Sequence, residues 1–495
     1  MPKVKSTKSE RLEAYVKSFG SEIFSTDGKV LLCRICERPV SAEKKFLVSQ
    51  HVNGARHKAS WDKKNQSNSA SVVQLAPFIE ASGKQSQFSL ELCDALLSAD
   101  IPLHKLDNRK FGDFLTKWCR QAIPCSATLR LNYIKKVYDS KMEFIRNSVG
   151  DRSIWVSVDE TTDAKGRFVA HVVIGTLEAV ESRCFLLHAE CLAGTNGSTI
   201  PQAFMNAMSV LWPAGIRHDK VLLFVSDAAS YMKTAGAALK VLFPRLIHIT
   251  CAAHALHRMS ELVRSLFPSI DKLISCVKKI FLKSAARVTT FREVAPDVPL
   301  PPQPSLIRWG TWINAALYYG KHFDAVSAAV HALDKEDAAS IQTAHDLFEQ
   351  EGETLRANLA FIVANFGDLP GVIEKLEGRN LLLTKSTELF ESTLRKLGSV
   401  PGRHRQKMHQ KSKDVLSRNP DYLRIKELAK ILSGTPPTTM STELSPTEVA
   451  GFKFAPITST DVERTFSRLK TVLTDRRHRF TFENLKMVVV AYCNE

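Results

Sequence analysis

The stretch IWVSVDETTD, residues 154–163, is an apolar run that delivers one carboxylate, Asp159, where it turns polar. Ile154, Trp155, Val156 and Val158 suit a buried strand, and the Thr-Thr-Asp that follows ends it, so the acid falls at a strand tip. Two more strand-like runs follow, Phe168 to Leu177 behind a Lys165-Gly166 turn and then Arg183 to Leu192; the three read as an antiparallel meander. An amphipathic segment, Ile200 to Trp212, leads to another apolar run, Val221 to Ser226, which ends in Asp227. A second carboxylate thus ends a second strand.

Three meander strands, a helix and a further strand resemble the opening of an RNase H-like domain. In that fold the first and fourth strands are neighbours, which implies that Asp159 and Asp227 meet. The chain is long enough for roughly two to four domains, and its apolar share of 44% and charged share of 24% are those of an ordinary globular protein. Its charge is less ordinary. Residues 1–64 hold 14 Lys and Arg against 7 Asp and Glu, residues 395–413 hold 7 against none, and residues 464–486 hold 7 against 2. These surpluses exceed the net charge of +17, so the remainder is near neutral. Basic charge gathered this way favours a polyanion, nucleic acid foremost, over a merely solvated face. Ten scattered cysteines with no signal peptide before them point to a reducing compartment. No apolar run approaches the ~18–20 residues that span a bilayer.

Near the N-terminus, Cys33, Cys36, His51 and His57 form the pattern C-x2-C-x14-H-x5-H. Two thiolates on a tight knuckle and two imidazoles about two helical turns apart can complete a tetrahedral zinc site. Lys29 to Leu32 reads as a hairpin strand, and Phe46 to Lys58 as the helix carrying the histidines. Arg34, Arg38, Lys44, Lys45, Arg56 and Lys58 put phosphate-seeking charge on the same element. A zinc module that binds protein rather than DNA is the alternative.

Residues 62–87 are rich in Ser, Asn and Gln and read as a linker. Phe88 to Lys141 alternates helical patterns with breakers, a small helical layer that packs before the sheet or helps hold DNA. After Asp227, Tyr231 to Phe243 reads as a helix and Arg245 to Thr250 as a strand leading into Cys251, His254 and His257. Those three could bind metal or simply pack, and a His near the acids could contact a phosphate. From Ala255 to about Leu432 the chain reads as helices, interrupted by a proline-rich segment at 295–305. Arg308-Trp309 there pairs a phosphate-binding fork with a stacking surface, unless it is core. Gly398, Pro401 and Gly402 suggest a loop that presents Arg403, Arg405, Lys407, Lys411 and Lys413 to a DNA backbone. Residues 434–447 are another break.

Close to the C-terminus, Val462, Phe466, Leu469 and Leu473 form an apolar helical stripe flanked by Glu463. Thr460-x-x-Glu463 also fits a capping box, in which the Glu only satisfies backbone N–H groups. Leu485 to Tyr492 is apolar and suggests self-association.

Taken together, VSVDETTD, FVSDAAS and TSTDVERTFSRLKTVLTDRRHRFTFENL resemble the hAT superfamily of DNA transposases over nearly the full chain. The finger and following helices resemble the CGG-repeat-binding-protein-related group. The resemblance implies an α/β multi-domain protein in six parts: a BED-type zinc finger at 1–64, a linker at 65–87 and a helical DNA-binding or dimerisation region at 88–150, then an RNase H-like core with a mixed sheet at 151–254, an all-helical insertion at 255–447, and the rest of the core with the dimerisation block at 448–495. It implies a catalytic triad of Asp159, Asp227 and Glu463, with His254 and Arg308 near the reacting phosphate and Trp309 stacked on a flipped base. Thr460-Asp461-Val462 departs from the family's small residues before the Glu, while Glu-Arg-Thr-Phe-Ser is intact. Three converging carboxylates are tolerable only with cations. Two Mg²⁺ or Mn²⁺ ions about 3.5–4 Å apart would serve, beside a structural Zn²⁺ in the finger. The expected activity is metal-dependent cleavage and joining of double-stranded DNA at terminal inverted repeats, with a hairpin on flanking DNA, by a nuclear protein that is at least a dimer. Alternatives are a domesticated DNA-binding or chromatin protein that no longer transposes, and an RNase H-like nuclease acting without transposition.

Overall fold

The computed structural model describes residues 7–36, 38–68, 75–181, 183–282, 284–304, 310–436, 444–474, 477 and 480–495. The chain divides into two compact units, Met1–Phe88 and Ser89–Glu495.

In the first unit, Thr7 caps the helix Lys8–Phe19 and Glu10 returns the bond, closing a capping box. A three-stranded antiparallel sheet follows, Phe24–Thr26 against Leu31–Cys33 against Arg38–Val40. The histidines do not share one helix as their spacing predicts. The helix Lys45–Asn53 stops at Gly54, which has extended backbone, and a second helix, Ala55–Asn68, begins beyond it. Glycine's low helix propensity explains the break. The stretch expected as a linker is also largely helical, within Ala55–Asn68 and Leu75–Ser98. Among the described residues, Leu12, Phe24, Leu31, Cys33 and Val48 form the unit's buried core.

The second unit is a mixed α/β body around one five-stranded sheet: β1 (Ile154–Thr162), β2 (Phe168–Thr176), β3 (Cys184–Leu192), β4 (Val221–Ser226) and β5 (Ile247–Thr250). The order across it is β3-β2-β1-β4-β5. The meander pairs antiparallel, as expected, while β1–β4 and β4–β5 are parallel. Residues 154–159 and 221–226 are buried without alternation because both faces of the central strands are covered. Gly166, at φ +74°, makes the β1–β2 turn, and Asp163 is used up there, accepting from the amides of Lys165 and Arg167 and pairing with the Arg167 guanidinium.

Three helices connect or leave the parallel strands: α1 (Thr199–Leu211), α2 (Ser230–Leu242) and α3 (Ala252–Leu266). Between α3 and residue 447 the described residues form helices and no strand. The chain then returns: α4 (Thr460–Val472) lies on β1 and β2, and α5 (Phe482–Cys493) packs on β3 and on the helix Ile134–Val149. Asn494 exchanges two hydrogen bonds with the Leu186 backbone and fastens the C-terminus to β3. The apolar residues Leu485, Val488, Val489, Val490 and Ala491 are buried in their own chain. The self-association inferred from that block therefore loses its basis there.

One close approach positions the sheet end. Gly236 of α2 lies over His248 of β5, and an added Cβ would stand 2.0 Å from the ring's Nδ1. The ring cannot swing away freely, because its Nε2 bonds the Ser226 hydroxyl at 2.9 Å. Alanine would gain about 1 kcal/mol in helix propensity. Overpacking against a fixed ring costs more, so Gly236→Ala is expected to lose on the order of 2 kcal/mol net, measurable by denaturant unfolding.

Candidate functional site

The parallel register pairs Ser157 with Val225, so two residues further on Asp227 leaves the end of β4 beside Asp159, which lies not at a strand tip but inside β1, opposite His171 of β2. Asp159 is buried; its Oδ1 accepts from the Glu160 amide at 2.9 Å, and its Oδ2 has no hydrogen-bond partner. Asp227 turns its Oδ1 to the Ala229 amide at 3.1 Å. Cys251, at the N-terminus of α3, is tied by its amide to the Ser226 carbonyl at 2.7 Å, and its Sγ accepts from the Ser459 amide at 3.2 Å. That junction brings the start of α4 against the start of α3. His254 and Glu463 then face each other at 3.8 Å. Asp159, His254 and Glu463 each offer a ligand atom, all within 4.8 Å of one another.

This gathering perturbs every member. Burial pushes Asp159 well above the usual carboxylate range, and Glu463, Asp227 and Glu160 add to the shift. Burial also raises Glu463, with Asp227 adding, and raises Glu160. For His254 burial works the other way, but Cys251, Asp159 and Glu463 outweigh it and hold the imidazole at about 9. An imidazolium among acids is the arrangement expected of a site with surplus negative charge.

The capping-box reading of Glu463 does not hold. The N-cap is Ser459, no side chain caps the helix, Thr460 lies inside it, and the Thr460 hydroxyl has no partner. The neighbouring residues divide other work. Arg464 binds Asp461 and the Glu377 carbonyl, Thr465 binds His171 at 2.7 Å, and the Phe466 ring lies 5.0 Å from that His. Burial lowers His171 to about 3, so it is a neutral packing group.

Three residues here escape a sequence reading. Glu160 accepts from the Tyr231 hydroxyl, and its second oxygen is buried without a partner. Arg258, one turn beyond His254 on α3, feels the charge of Asp227. The i, i+4 spacing of 254 and 258 is the one signal that could have found it. Among the described residues Cys251 joins no metal-binding group. His257 instead lines a cavity with Arg264, Asp271 and Trp312.

In the first unit, Cys33, Cys36, His51 and His57 offer ligand atoms within 4.8 Å of one another, on a hairpin and the two helices after it. His57 Nδ1 lies 3.5 Å from the Cys33 sulfur and 3.3 Å from that of Cys36, and the Cys36 amide donates to the Cys33 sulfur. His51 Nε2 is buried without a hydrogen-bond partner, and burial holds both imidazoles below their usual range, neutral and ready to ligate. Two sulfurs and two nitrogens in this setting fit Zn²⁺. Arg34, Lys44, Lys45, Arg56 and Lys58 are exposed on the same unit.

Residues 125–280 match a family described as Domain of unknown function (DUF659). That domain is one associated with hAT-type transposases. The comparison with curated proteins found no match. The DUF659 match takes in all five sheet strands and α1 to α3, and with them Asp159, Asp227 and His254; it ends before Glu463.

Beyond the DUF659 match, the basic stretches differ from each other. Arg403, Arg405 and Lys407 are exposed, but a loop is not what carries them: a short 3-10 turn, Gly402–His404, runs directly into the helix Arg405–Ser417. Arg395, Arg403, Arg405, Lys413 and Lys426 line a groove of about 850 Å³. Among the described C-terminal cations several are used internally instead: Arg468 binds the Tyr492 carbonyl and Glu495, Arg477 binds Asp100, and Lys486 binds Glu483. Arg308 and Trp309 lie outside the described residues.

Proposed function

We propose that the protein is a hAT-type DNA transposase that binds terminal inverted repeats and cuts and joins double-stranded DNA at an acidic, metal-dependent site. The observation that carries this reading is the convergence of Asp159 and Glu463 from segments 304 residues apart, around a buried carboxylate oxygen left without a partner. Such a gathering is costly unless a cation enters it. Further support comes from the β3-β2-β1-β4-β5 order with parallel β1 and β4, which is the order expected if the core is RNase H-like, and from the DUF659 match.

Asp159, Asp227 and Glu463 would hold Mg²⁺ or Mn²⁺, with Asp227 released from its turn to the Ala229 amide. These cations supply Lewis-acid stabilisation of the phosphodiester oxygens and a nucleophile usable at neutral pH. His254 and Arg258 flank the acids with positive charge suited to a phosphate. Tyr231 holds Glu160 by a hydrogen bond and keeps it at the edge of the site. The BED-type finger, zinc-bound, and the exposed cations at 403–407 would grip the duplex, in the nucleus. Two transposon ends must be brought together, which calls for at least a dimer.

The test uses purified full-length protein, Mg²⁺ or Mn²⁺, and DNA carrying the element's own terminal repeats. Metal-dependent nicks at the repeat ends are expected. Binding to those ends without any cutting would overturn the enzyme reading and leave a DNA-binding descendant of a transposase.

A further inference from the structure

A third cluster of ligating side chains lies in the helical region, well apart in sequence from the acids and the finger. His331 is the last residue of the helix Thr311–His331, and His345 and Glu349 lie four residues apart on the next one, Ala339–Phe366. That spacing puts the latter two on one helix face. Each of the three offers a ligand atom, and all lie within 4.8 Å of one another. The His331 and His345 rings are 4.6 Å apart, and His331 Nε2 is 3.8 Å from the Glu349 carboxylate.

Two features distinguish this cluster from an ordinary surface ion pair. His345 is 3% exposed, yet neither of its ring nitrogens has a hydrogen-bond partner. Buried polar groups are rarely left so, because an unmade bond costs about 1–3 kcal/mol. His331 is also held in the tautomer a ligand needs. Its Nδ1 donates to the Ser327 carbonyl at 2.7 Å, which leaves the Nε2 lone pair turned toward Glu349. A ligating histidine is usually fixed by a hydrogen bond of this kind. Lys335 is the competing cation, 2.9 Å from the same Glu349 oxygen.

We propose that His331, His345 and Glu349 form a Zn²⁺ site that clips the end of one long helix to the face of the next. Two imidazole nitrogens and one carboxylate favour zinc over magnesium or calcium. Ligand atoms around tetrahedral zinc stand about 3.4 Å apart, so the site closes by small movements of His331 and Glu349, both exposed, with water in the fourth position. Lys335 gives way to the stronger cation.

The site shares no residue with the acidic cluster or the finger, so its test is independent of the activity. Full-length wild type, His331→Ala, Glu349→Ala and Lys335→Ala are loaded with Zn²⁺, desalted and analysed for zinc per chain, with circular dichroism to confirm folding. Both ligand variants change exposed residues. His331→Ala and Glu349→Ala are expected to hold one zinc fewer than wild type, and Lys335→Ala to bind the ion several-fold more tightly. Zinc content and affinity identical across wild type, His331→Ala and Glu349→Ala would overturn the proposal.

Discussion

Asp159→Asn is expected to lower metal-dependent DNA cleavage by roughly 10³-fold or more and, without metal, to make the chain more stable than wild type. Asp159 is buried with one oxygen unbonded, and burial together with Glu463, Asp227 and Glu160 raises its folded-state pKa. The unfolded chain holds that proton only below about pH 4. At lower pH both states are protonated and the charge costs nothing. As pH rises from there through the raised folded-state pKa, wild type loses stability, and the loss persists above it. Asparagine has the same shape and no charge, so its advantage is absent near pH 3, grows as pH rises and is full only above the raised folded-state pKa. For a chain of this size each kcal/mol shifts the melting temperature by about 2–4 °C or less. Mg²⁺ or Mn²⁺ should reverse the order, raising the melting temperature of wild type and not of the variant. Equal stabilisation of both by metal, or undiminished cleavage by Asp159→Asn, would remove Asp159 from the site.

Cys33→Ser, or chelation of zinc, is expected to unfold the first unit while sparing the second. The core that Leu12, Phe24, Leu31, Cys33 and Val48 form among the described residues is too small to hold a fold by burial alone. Zinc-finger peptides draw roughly 10–16 kcal/mol from their metal, far more than such a core supplies. Hydrogen exchange followed by mass spectrometry should show protection lost across the helix Lys8–Phe19 and the hairpin, and retained in β1 to β5. Protection that survives both treatments would mean that the four ligands pack without a metal.

The residues that were easiest to read are those where local chemistry and tertiary placement agree. Apolar runs that turn polar at Asp159 and at Asp227 announce two strands of the sheet, and the parallel β1–β4 pairing puts them side by side, although β1 runs on past Asp159 to Thr162 in its pairing with β2. The Cys33–His57 spacing announces its cluster in the same way. Glu463 is different. Thr460-x-x-Glu463 fits a capping box equally well, and it is distant ties, such as the Ser459 amide to the Cys251 sulfur and the Ala252 amide to the Ile457 carbonyl, that hold the helix start where the Glu meets His254. Leu485 to Tyr492 reads as an apolar block suggesting self-association because nothing in its own stretch shows that β3 and Ile134–Val149 cover it. Arg403 to Lys407 reads as a loop because glycine and proline precede it, yet the helix starts at Arg405. The i, i+4 spacing of His345 and Glu349 is the one local signal of the third cluster, and it does not point to His331, whose meeting with them depends on how two long helices align.

Glu463→Gln bears most directly on the acidic site, because it separates a ligand from a helix-capping residue. Wild type and Glu463→Gln are compared on the same repeat-end DNA with Mn²⁺, scoring nicked strands and bound complex in one titration. Binding equal to wild type with nicking lost is the expected result. Nicking at the wild-type rate by Glu463→Gln would show that the carboxylate takes no part in the reaction.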